Sequence, residues 1–104
     1  MTFGFHPEAE DEFEEAVAFY EDHAADLGLD FAAEVREAIE RALAMPLAWI
    51  EIEPGIRRVL VHRFPFAVLY AGNGDGLFVL AVMHLRRAPN YWAHRTAEIK
   101  GDGK

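Results

Sequence analysis

Apolar residues recur along the first half of the chain at intervals of three and four. One series is Phe13, Ala16, Val17, Tyr20, Ala24 and Leu27; the next is Phe31, Val35, Ala38, Ile39, Ala42 and Leu43. That spacing is the buried stripe of an amphipathic α-helix, so two helices are predicted. The first opens at Pro7, a residue suited to the first helical position, and Glu8, Glu10, Asp11 and Glu12 suit the positive end of a helix dipole. Gly28 is expected to stop it, and the second helix to close before Pro46. A connection of about three residues forces the two to pack antiparallel as a helical hairpin.

The period changes after Pro46. Trp49 to Gly55 reads as a connecting loop ending in a turn, and Ile56 to Phe64 is β-branched and weakly alternating until Pro65 ends it. Phe66 to Tyr70 makes a second strand, Asn73-Gly74-Asp75-Gly76 supplies the positive-φ residues of a hairpin turn, and Leu77 to Leu85 makes a third strand. This last strand is apolar on both faces, which predicts a central position. With Thr2 to Phe5 as a short edge strand, the order is β-α-α-β-β-β. The expected architecture is an α+β domain with the helical hairpin on one face of an antiparallel sheet. Residues 1–96 form the domain, Tyr91 and Trp92 anchor its end, and 97–104 form a flexible tail.

Strict alternation would place Leu80, Val82, His84 and Arg86 on one face and Ala81, Met83, Leu85 and Arg87 on the other. On the preceding strand Arg58, Leu60 and His62 share a face, opposite Arg57, Val59, Val61 and Arg63. The more apolar faces are expected to meet the hairpin; the sequence leaves the parity open.

Charge sharpens the picture. The net charge of −8 averages two unlike halves: residues 1–54 hold fifteen acids against Arg36 and Arg41, for −13, and residues 55–104 hold eight bases against three acids, for +5. An acidic half and a basic half should face different things. An acidic total argues against generic affinity for nucleic acid, though not against a local basic strip. With no cysteine, disulfides and thiolate metal sites are excluded, and no metal or cofactor is expected. No apolar run approaches the roughly 20 residues of a membrane helix. The first residues have neither a basic nor an apolar leader region, so residence in the cytoplasm is expected.

Three ordered groups of strings carry a resemblance. His6-Pro7-Glu8-Ala9-Glu10 opens a helix bearing Ala18-Phe19-Tyr20-Glu21. Pro54-Gly55-Ile56-Arg57-Arg58-Val59-Leu60 leads to Arg63-Phe64-Pro65-Phe66-Ala67-Val68-Leu69-Tyr70. Ala81-Val82-Met83-His84-Leu85-Arg86-Arg87 precedes Pro89-Asn90-Tyr91-Trp92. In this order, from about Phe5 to Arg95, they resemble the RelE/ParE superfamily of toxins from type II toxin–antitoxin systems. The resemblance implies a plasmid-stabilising or growth-inhibiting toxin neutralised by a cognate antitoxin that wraps it, with a homodimer or a toxin–antitoxin heterotetramer as plausible assemblies. RelE-like members cleave messenger RNA on the ribosome, whereas ParE-like members share the fold and poison DNA gyrase. Fold analogy alone does not choose between them.

A metal-independent endoribonuclease needs a base for the 2′-hydroxyl, cations for the phosphorane and an acid for the leaving oxygen. His84 has the right intrinsic pKa for either proton role, Arg58, Arg63, Arg86 and Arg87 could grip phosphate, and Tyr91 could stack on a base or give a proton. The catalytic set under this reading is His84, Arg63, Arg87 and Tyr91. Plainer roles compete for the same residues. A histidine closing a core strand is commonly structural, Arg57 and Arg58 can blunt a sheet edge, and Tyr91 and Trp92 can cover the end of the core. The acidic helix faces can serve solubility alone. RelE-like nucleases carry several lysines and arginines about these strands, whereas this chain has no lysine before Lys100 and reads Phe64-Pro65-Phe66 where the nuclease branch tends to place a base. Losing cations forfeits the largest catalytic contribution, which brings the chain closer to the ParE-like branch. Arg57, Arg58, Arg86, Arg87, Tyr91 and Trp92 are then the candidate contacts to antitoxin or target. The target is gyrase, or ribosome and mRNA in the alternative; a toxin-like module that binds antitoxin and is otherwise inert is the third reading.

Overall fold

The computed structural model describes residues 3–73 and 76–96. Thr2, two residues of the expected hairpin turn (Gly74 and Asp75) and the tail from 97 onward lie outside them.

Helix α1 spans Pro7–His23. Proline occupies its first turn, and His6 caps it, with Nδ1 accepting the Glu8 amide at 3.0 Å. Helix α2 spans Leu27–Ala44, so Gly28 lies inside its first turn and does not stop α1. The chain reverses earlier, through Asp26 at φ 68°. Glu21 of α1 accepts the amides of Asp26 and Gly28 at 2.9 Å each, supplying the N-terminal cap that α2's own residues do not. Gly28 earns its place by proximity: a Cβ there would sit 2.6 Å from the Val17 carbonyl oxygen and 3.0 Å from Glu21 Cβ. Gly28→Ala should therefore force the helices apart and lower stability by about 1–3 kcal/mol, the usual cost of overpacking. Thermal unfolding reads this directly, and an unchanged midpoint would show that the hairpin can open without cost.

The strands are β1 (Phe3–Phe5), β2 (Glu51–Glu53), β3 (Ile56–Leu60), β4 (Phe66–Asn73) and β5 (Gly76–His84), in the order β1-β5-β4-β3-β2. Segment 49–55, expected to be a loop, contributes β2 as an edge strand beside β3. Strand β1 pairs parallel with β5 and the other pairs are antiparallel, so the sheet is mixed. The last strand lies between β1 and β4, and its double-sided apolarity is explained by cover on both faces, the hairpin on one and Trp92 on the other.

Simple alternation fails within β5. Leu69 pairs with Ala81 but Tyr70 pairs with Val79, leaving Leu80 as an extra residue in a bulge. Leu77, Val79 and Val82 consequently pack with the hairpin residues Phe31, Val35, Ala38 and Ile39. Leu80 joins Ala81 and Leu69 on the opposite face, under Trp92. On β3 the Val59 and Val61 side does meet the hairpin, as its apolarity predicts. Tyr20, Phe31, Phe64 and Phe66 interlock near the turn end of the hairpin, with edge contacts of 4.8 to 5.2 Å. At the other end the buried Tyr70 hydroxyl donates to the Pro46 carbonyl at 2.8 Å, and burial raises its pKa.

Candidate functional site

The segment after β5 returns across α1 and is fastened there by one carboxylate. Glu12 lies on α1 with its side chain only 14% exposed; Oε1 accepts the Val82 amide at 3.0 Å and Oε2 accepts the Tyr91 hydroxyl at 2.6 Å. Arg95, 4% exposed, donates Nη1 to Glu12 Oε1 at 3.0 Å and Nη2 to Oε2 at 2.9 Å, the two-pronged geometry that suits guanidinium and carboxylate. Nη1 also reaches the Leu80 carbonyl at 3.0 Å, a group on the bulged residue. Burial opposes the charge on Arg95, but the Glu12 bonds outweigh it and hold its pKa above the ordinary value.

At the rim His94 Nε2 approaches both Glu8 oxygens, at 2.9 and 3.1 Å, and Arg95 Nε lies 3.3 Å from the nearer one. The His94 bond is the main cause holding the Glu8 carboxyl below its usual pKa of 4.5. That contact contributes stability above the ordinary carboxylate range and loses it as pH falls through Glu8's own value.

Beside this strap is a shallow cleft of about 210 Å³ lined by Glu12, Glu15, Phe66, Val82, His84 and Arg87. His84 packs edge-on against Phe66 at 5.1 Å, and its Nδ1 accepts the Arg86 amide at 3.0 Å, leaving Nε2 without a hydrogen-bond partner among the described residues. Because β5 ends at His84 and a turn follows, with the Arg87 amide bonded to the His84 carbonyl at 3.0 Å, Arg87 comes round to the same cleft despite its odd spacing. Its guanidinium lies 3.9 Å above the Tyr91 ring.

The predicted catalytic residues are thus gathered only in part. His84, Arg87 and Tyr91 are neighbours around Glu12. Arg63 sits in the β3–β4 connection at φ 72°, facing Asp30 and Glu34 of α2 at 3.6 and 3.7 Å. The Tyr91 proton is committed to Glu12, and burial followed by that bond pushes the phenol's pKa far upward. Among the described residues Arg87 is the one arginine lining the cleft, together with Glu15 and with Glu12, which Arg95 already pairs.

The predicted contact residues diverge similarly. Arg57 shares the hairpin side of β3 with Val59 and gives Nη1 to the Trp49 carbonyl at 2.7 Å. Arg58 pairs in register with Leu69 on the opposite side. Trp92, 3% exposed, covers Leu69 and Leu80, so it belongs to the core's end. Arg86 is exposed, and its side chain has no partner among the described residues. Sequence reading passed over Glu12, Arg95 and Arg41, whose roles depend on contacts with distant parts of the chain. One further cluster could hold a cation: Glu34, Glu37 and His62 bring a ligand atom each within 4.8 Å of one another, although Arg63 already competes for Glu34.

A two-helix hairpin on a mixed five-stranded sheet with a C-terminal strap defines the class of fold. The fold is similar to that of a chain in the solved chromosomal ParDE TA system from P. aeruginosa, with a TM-score of 0.68 over 81% of this chain and 95% of that one, at 17% identity. At that identity the likeness is one of fold, and it agrees with the resemblance read from the sequence. No family model and no curated protein matches the chain.

Proposed function

We propose that this chain is the toxin of a type II toxin–antitoxin pair, neutralised by a cognate antitoxin, and that it acts by binding DNA gyrase without breaking a bond. The observation behind the pairing is the fold shared with a chain of a ParDE system. The observation behind a non-enzymatic action is the His84 cleft, where Arg87 is the one guanidinium in the lining among the described residues, Glu12 is already paired with Arg95, and the tyrosine is locked to that carboxylate. A phosphorane intermediate carries extra negative charge, and a single guanidinium beside Glu15 offers it little stabilisation. Arg86 and Arg87, on the turn after β5, would serve as rim contacts to the antitoxin, where charge pairs tune association more than they anchor it.

Induction of the chain alone should arrest growth, and co-expression with the protein of the adjoining reading frame should relieve it. Purified chain should inhibit supercoiling of relaxed plasmid by gyrase, and primer extension on translated messages should show no new 5′ ends. Cuts at codon boundaries would replace the gyrase reading by the ribonuclease one. Normal supercoiling would remove gyrase as target, and harmless expression would leave an inert antitoxin-binding module.

A further inference from the structure

At the far side of the sheet from the His84 cleft, where β2 stops short along β3, lies a second cleft of about 340 Å³. Its ionisable lining is Arg41, Arg58 and His62, and its apolar lining is chiefly Trp49, Ile50 and Leu60. Among the described residues no acid lines it, although the half of the chain that supplies Arg41 and Trp49 carries −13. Local charge here runs against the charge of its surroundings.

Arg41, in the last turn of α2, places its guanidinium 5.8 Å from the Trp49 ring centre and donates Nη2 to the Leu60 carbonyl at 3.1 Å. Its buried Nε has no hydrogen-bond partner among the described residues. A buried N–H on a charged group is costly to leave unpaired, which leaves Arg41 short of acceptors. The Arg58 backbone is tied to Ile50 through a 3.0 Å bond, but its side chain has no partner among the described residues. His62 stands at the rim, 3.7 Å from Glu37. Ile50 and Leu60 remain 60% and 48% exposed, two aliphatic side chains flanking the cations.

We propose that this cleft docks an acidic segment of a partner protein, with a carboxylate between Arg41 and Arg58 and an adjacent aliphatic side chain against Ile50 and Leu60. Charge-assisted bonds fix the carboxylate, and the aliphatic contact removes exposed apolar surface. A nucleic acid fits less well. The Trp49 indole is half-buried, lies against Arg41 and gives its Nε1 proton to the Arg41 carbonyl at 3.2 Å, so it is no open platform for a base. The surrounding acidic half repels a polyanion while tolerating a short peptide. The site deepens the toxin reading by locating where a neutralising partner's acidic stretch would engage, and it rests on that reading only for the partner's identity.

The test uses the full chain, labelled for NMR and titrated with a short synthetic peptide of alternating leucine and glutamate. The same peptide with glutamine for glutamate, and a single-stranded oligouridylate, serve as comparison probes. Amide shifts should concentrate at Ile50, Arg58 and Leu60, and Kd should rise about tenfold or more in Arg58→Glu, equivalent to losing roughly 1.4 kcal/mol. A retained spectrum distinguishes lost binding from lost folding, and Arg58→Gln should give an intermediate Kd. Absence of shifts, equal binding of the glutamine peptide, tighter binding of oligouridylate, shifts centred on Arg86 and Arg87, or an unchanged Kd in Arg58→Glu would each overturn the proposal. Growth arrest is not measured in this experiment, so its failure stays separate from failure of the toxin reading.

Discussion

Truncating Arg95 to alanine is expected to destabilise the fold by about 3–5 kcal/mol, the cost of breaking a buried ion pair and stranding its partner. For a domain near 100 residues each kcal/mol moves the thermal midpoint by roughly 4–8 °C, so a fall of more than about 12 °C should be seen by calorimetry. Three features place this pair above the ordinary surface salt bridge. Arg95 is 4% exposed and the Glu12 side chain 14%, so solvent hardly screens them. The contact is two-pronged, at 3.0 and 2.9 Å. Glu12 also holds the Val82 amide and the Tyr91 hydroxyl, so misplacing it frees two further donors. Glu12→Ala should cost a similar amount. Replacing both residues by leucine should recover only part, because the Leu80 carbonyl and the Val82 amide remain unpaired. Amide exchange at Val82 and emission from Trp92 report the strap locally. A midpoint within about 2 °C of wild type would mean that residues 88–96 are not anchored through this carboxylate.

That network also marks the limit of what the sequence displays. Both helices were legible because a buried helical face repeats every three to four residues and needs no partner to be recognised. Their junction was not: Gly28 looks like a terminator, but its role is to let α2 approach the Val17 carbonyl, and closeness between two elements leaves no periodic trace. Strand β2 was missed since Glu51-Ile52-Glu53 offers only three residues of alternation. The Leu80 bulge reverses the face of every earlier residue of β5 relative to Val82, and a bulge exists only in the register between two strands. Glu12 and Arg95 are 83 positions apart, and on sequence one is simply an acid in an acidic helix. Of the candidate site, the convergence of His84 with Arg87 was foreseeable once the strand was allowed to end at His84. The division of Arg57 and Arg58 between opposite sides of β3 followed from alternation, while the cleft that Arg58 shares with Arg41 depends on how the end of α2 meets the sheet edge.

If the acidic half engages a cationic groove of gyrase by imitating the charge of DNA, reversing the outward face of α1 should abolish growth arrest. Asp11, Glu14 and Asp22 are exposed along that face, and none has a side-chain partner among the described residues. Changing all three to lysine moves the net charge from −8 to −2 and places cations where the target expects anions. At about 1 kcal/mol for each lost pair, affinity should fall on the order of 100-fold, and like-charge repulsion adds to that. Some loss of stability is expected from Asp11→Lys, since a cation in the early part of a helix opposes the macrodipole by about 0.3–1 kcal/mol. The neutral triple variant Asp11→Asn, Glu14→Gln and Asp22→Asn separates the two effects. It removes the attraction without the repulsion and should show intermediate inhibition of supercoiling. Binding of the antitoxin by both variants would show that the fold and the partner surfaces survive. Growth arrest by the lysine variant at wild-type strength would remove charge mimicry as the mode of action, and the apolar or basic faces of the domain would have to contact the target instead.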